Sequence, residues 1–106
     1  MTGFDAPAIR VSVPASYPAF EGHFPGDPLL PGVAQIGLVV DALASRLGKA
    51  PLVSAIPTLR FRRAVRPGDE LEVFLKGPDA EATVRFEVRC SGELVSDGRF
   101  VVARSA

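Results

Sequence analysis

Apolar and polar positions alternate near the start of the chain, where Ile9, Val11 and Val13 are separated by Arg10 and Ser12. A period of two places the three apolar side chains on one face, which predicts a strand over "AIRVSV" (8–13). Pro14 and Pro18 end regular structure there, and an irregular loop follows. The stretch from Pro31 to Leu47 reads as a helix. Pro31 suits the first turn, where its missing N–H costs nothing. Arg46 and Lys49 sit near the far end, where a cation favours the helix dipole, and Gly48 supplies a left-handed stop. Val33, Ile36, Leu38, Val39, Val40, Ala42, Leu43 and Leu47 place apolar groups on every side, so the helix is expected to be wrapped by other structure.

Beyond the helix the period returns to two. "PTLRFRR" (57–63) alternates Leu59 and Phe61 with Arg60 and Arg62. "RPGD" (66–69) is a turn, "ELEVFLK" (70–76) a strand, and "GPDAE" (77–81) a second turn. "ATVRFEVRC" (82–90) is the cleanest strand, with Val84, Phe86, Val88 and Cys90 on one face and Thr83, Arg85, Glu87 and Arg89 on the other. Ser91-Gly92 fits a two-residue hairpin, and "ELVSDGRFVVAR" (93–104) closes the series with a bend or bulge expected near Asp97-Gly98. One strand, a helix and about four hairpin-linked strands make an α+β fold, an antiparallel sheet covering a helix, read as a single domain over 1–106. Such a sheet leaves one surface unsealed, which a second copy would close.

Composition narrows the partners. Twelve Lys plus Arg balance twelve Asp plus Glu, so no global field draws the chain to nucleic acid. No apolar run is long enough to span a bilayer, so no membrane insertion is expected. The start, "MTGFDAPAIR", lacks the basic and apolar regions of a secretion signal, and the one cysteine, Cys90, cannot form an internal disulfide, so a cytoplasmic setting is expected. Cys90 alternates with core positions and is read as core. One His and one Cys far apart make no metal site, and "PGDP" lacks the spacing and lysine of a phosphate loop, so no cofactor is expected.

The chain's only histidine, His23, sits in "FEGHFPGDPLLPGV" (20–33), among three prolines and three glycines and just ahead of the apolar helix. The stretch "GHFPGDPLLPGV" resembles the active-site loop and helix start of the 3-hydroxyacyl-acyl-carrier-protein dehydratases of bacterial fatty-acid synthesis. "LRFRRAVRPGDELEV" resembles that family's strand after the helix, and "FEVRCSGELVSDGRFVVA" its closing hairpin. The likeness runs in order over nearly the whole chain. It implies the hotdog fold, a sheet curled round one long helix, assembled as a homodimer or a trimer of dimers.

The chemistry implied is removal of water from a 3-hydroxyacyl thioester. A base takes the C2 proton, an acid protonates the departing hydroxyl, and a donor stabilises charge on the thioester oxygen. The resemblance makes His23 the base, a role imidazole suits because it titrates near neutrality. The prolines restrict the loop before substrate arrives. The Gly32 N–H, at a helix start where donors lack internal partners, would meet the oxyanion, as the matching glycine does in the family. Two bland readings stand beside these: His23 bracing the loop through a backbone carbonyl, and Gly32 as a helix-start glycine without ligand. Phe24, Pro31, Val33, Gln35 and Gly37 would line the substrate path.

One position departs from the pattern. The family's helix carboxylate lies fourteen residues after the histidine and reaches the partner's histidine; here that position is Gly37. Asp41 stands one turn on, about 6 Å along the axis. It is expected either to serve as the acid, with burial raising its pKa, or to be a buried Asp bonded to Ser45. Glu21 reads as solvated and Asp27 as a turn residue. Arg60, Arg62, Arg63 and Arg66 form a local basic cluster that could dock an acidic acyl carrier protein bearing acyl-phosphopantetheine, or could be a solvated sheet face. The resemblance leaves three readings: a dehydratase in fatty-acid, polyene or polyketide-type synthesis; a hotdog thioesterase; and a non-catalytic acyl-binding subunit, or one that pairs with an active homologue supplying the missing acid.

Overall fold

The computed structural model describes residues 3–13, 32–49 and 51–103 of the chain. In chain order these form β1 (Asp5–Ser12), α1 (Gly32–Leu47), β2 (Val53–Phe61), β3 (Glu70–Lys76), β4 (Thr83–Cys90) and β5 (Glu93–Val102). The five strands make one antiparallel sheet in the order β1-β3-β4-β5-β2. The architecture is α+β, as the alternating pattern implies.

The sheet's inner face is built by strict alternation. Leu71, Val73 and Leu75 of β3 and Val84, Phe86, Val88 and Cys90 of β4 are all buried. Phe100 packs against Phe86 in a tilted pair with ring centroids 5.8 Å apart. α1, which lies against β1 and β3, adds Val39, Ala42 and Leu43 to this core, and Val13 and Val65 close its edge. Full burial of such side chains is worth roughly 1.5–3 kcal/mol each.

Among the described residues only one side of α1 is covered. Gln35, Val39, Ala42 and Leu43 recur at helical spacing and are buried, but Ile36, Gly37, Val40 and Ala44 are half-exposed, and Asp41, Ser45 and Leu47 are exposed. The apolar residues are indeed on all sides; within one chain the sheet can cover only one of them. α1 ends as expected, with Gly48 at φ +79° and its N–H donating to the Ala44 carbonyl at 2.9 Å.

Local turn chemistry sets the sheet's connections. Ser91 (φ +51°) and Gly92 (φ +82°) are both left-handed, the form of a two-residue hairpin whose twist matches its strands. At 66–69 the Asp69 N–H donates to the Arg66 carbonyl at 3.1 Å, and the Asp69 Oδ2 accepts from the Arg66 N–H at 2.9 Å. The same turn clips onto the end of β1 through Gly68 N–H to Val13 carbonyl (2.6 Å) and Val13 N–H to Asp69 carbonyl (3.0 Å).

Two strand details differ from the alternation. The bulge in β5 lies at Val95, where the register steps from Val88↔Ser96 to Arg89↔Leu94; Asp97 and Gly98 pair regularly with Glu87 and Phe86. The extra residue leaves Val95 and Ser96 both buried, and the Val95 carbonyl accepts from both Arg62 and Arg63 N–H groups (2.8 and 3.2 Å). β2 starts four residues earlier than expected and ends at Phe61, which is 46% exposed rather than inward-facing. An edge strand paired on one side only tolerates both Pro57 and this irregular burial.

Candidate active site

The residues expected to carry the chemistry divide between described and undescribed parts of the chain. His23, Phe24 and Pro31, with Glu21 and Asp27, lie outside the described residues. Gly32 and Val33 form the start of α1. The first turn of α1 contains no acidic residue of its own, and the first N–H groups of a helix lack partners within it. This end of the helix is therefore suited to receive an oxyanion.

Gln35, three residues after Gly32, is 7% exposed and turned to the covered side of the helix. It is one of two buried polar residues among those described. Gly37 lies on the other side. A Cβ built there would meet nothing within 4 Å, so no close packing among the described residues requires the glycine.

Asp41 shares the open side with Gly37 one turn later. It is exposed, not buried, and makes no hydrogen bond or ion pair among the described residues, so the expected bond to Ser45 is absent. Ser45 is exposed too. The physical reason is the one that leaves the helix half-covered: no element of the described chain packs over this face.

The four arginines do not form one cluster. Arg60 and Arg62 both point at Asp97 Oδ1, each at 3.7 Å, and both are exposed. Arg63 instead bridges Asp69 (3.4 Å) and Glu93 (3.1 Å). Burial alone would lower the pKa of Arg63, but the fields of Cys90, Asp69 and Glu93 and a side-chain hydrogen bond with Cys90 outweigh it and raise it. Arg63 is thus a structural tie between the 66–69 turn and the β4–β5 hairpin. Arg66 is exposed and Cys90 is core. Sequence reading missed Asp97 as the shared ion-pair partner of Arg60 and Arg62; its cross-strand register with Arg60 becomes visible only once β2 pairs with β5.

Among the described residues no group of three His, Cys, Asp or Glu could hold a metal ion, and no helix is long and apolar enough to cross a membrane.

Comparison with known proteins gives this arrangement a context. The ApeI-like family pattern, described as ApeI dehydratase, matches residues 4–99. The 3-hydroxyacyl-acyl-carrier-protein dehydratase FabZ of Caldicellulosiruptor saccharolyticus is 41% identical, over 79% of this chain and 71% of that protein. FabZ of Chloroflexus aggregans is 43% identical, over 78% of this chain and 69% of its own length. Among solved structures, the dehydratase heterocomplex ApeI:P from Xenorhabdus doucetiae superposes with a TM-score of 0.82 at 28% identity, covering 92% of this chain and 86% of that one. A putative thioesterase from Prochlorococcus marinus shares the fold alone, with a TM-score of 0.65 at 14% identity. With the matched pattern reaching from Phe4 through Arg99 and the sheet and helix in the same arrangement, the chain belongs to the ApeI-like dehydratases, a FabZ-related family of the hotdog fold.

Proposed function

We propose that the protein dehydrates 3-hydroxyacyl chains carried on acyl carrier protein, giving trans-2-enoyl thioesters. The observation that carries this reading is the start of α1: a glycine opens the helix, whose first turn holds no acidic residue, shortly after the sequence stretch that contains His23. In the reaction His23 takes the proton from C2, and the charge that gathers on the thioester oxygen is met by the Gly32 N–H. The bond between C3 and its hydroxyl then breaks, a proton is delivered to the leaving oxygen, and water departs as the C2–C3 double bond forms.

The proton donor is assigned to Asp41, brought in by a second copy that covers the open side of α1. Burial there would favour the protonated form that can donate. Phe24, Pro31, Val33, Gln35 and Gly37 line the acyl path in this reading, and Arg60, Arg62 and Arg66 offer exposed positive charge to the acidic carrier protein. A second reading has a homologous subunit supply the carboxylate. It is favoured by the empty space at Gly37 and by the heterocomplex named for the Xenorhabdus doucetiae relative.

Incubating the purified protein alone with a 3-hydroxyacyl carrier protein tests the proposal. Enoyl product that disappears in His23→Ala supports it, and free acid as the product overturns it in favour of a thioesterase. Enoyl product formed only after addition of a homologous subunit supports the second reading.

A further inference from the structure

We draw no further inference here: the strongest candidate, the open side of α1 presented by Ile36, Val40 and Asp41, carries nothing beyond the site already described, because nothing among the described residues shows what covers it.

Discussion

The carbonyl of Thr58 occupies the space that a side chain on Gly98 would need, and the Leu59 Cα lies 3.1 Å from the same point. β2 and β5 therefore approach one another backbone against backbone at this register, Leu59↔Gly98. Because the neighbours are main-chain atoms of a paired strand, they cannot rotate aside as a flexible side chain could. Gly98→Ala should cost about 2–3 kcal/mol of stability, at the upper end of overpacking penalties. Urea unfolding of the two proteins measures it, and a change below about 0.5 kcal/mol would mean that β2 yields at no cost.

Asp69 ties three pieces of chain with one carboxylate and its own backbone. Oδ2 accepts from the Arg66 N–H at 2.9 Å and from Arg63 Nη1 at 3.4 Å, while its carbonyl receives the Val13 N–H at 3.0 Å. Asp69→Ala removes the side-chain acceptor and leaves the Arg66 N–H to water, since that site is exposed. The expected loss is about 1–2 kcal/mol, read as a lower urea midpoint at unchanged m. Glu93→Ala removes only the second, exposed partner of Arg63 and should change stability by less than about 0.5 kcal/mol.

The β4–β5 hairpin can be improved. Ser91 is held at φ +51°, a region in which serine is uncommon and asparagine is favoured. Ser91→Asn would complete the Asn-Gly pair preferred in such two-residue turns, and should raise stability by about 0.5 kcal/mol. A rise in Tm of about 2–4 °C is the expected reading, and an unchanged Tm would show that the turn is not limiting.

These positions also mark what could be read from residue order. The helix stop at Gly48, the Ser91-Gly92 hairpin and the bounds of β3 follow from local chemistry, in which each residue's own backbone preference decides the outcome. The inward row of β4 follows from simple alternation. The bulge at Val95, the outward Phe61 and the shared ion-pair partner Asp97 depend on which strand becomes whose neighbour, and no local period encodes that. For the site, the motif around His23 and Gly32 was legible as a resemblance. The exposure of Asp41 was not, because a helix with apolar residues on all sides reads the same whether its cover comes from its own chain or from another.

That ambiguity makes Gly37 the most informative position to change. A Cβ there meets nothing within 4 Å, so a glutamate can be accommodated without moving the described chain. Replacing an interior helix glycine by glutamate should itself add about 0.5 kcal/mol or more of stability. Gly37→Glu also restores a carboxylate at the position where the FabZ-like pattern carries one. If the protein works alone through Asp41, then Asp41→Asn should reduce dehydration by about a hundredfold, and Gly37→Glu in that background should recover much of it. If the acid comes from a homologous subunit, Asp41→Asn should leave the rate of the mixed complex unchanged, and Gly37→Glu should create dehydration in the protein on its own. Enoyl formation by the parent, the two single variants and the double variant, each with and without the homologue, separates these outcomes. A Gly37→Glu protein that is folded, more stable and still silent in every mixture would remove the helix carboxylate from the account, because the group would then be present at the family's position without taking part.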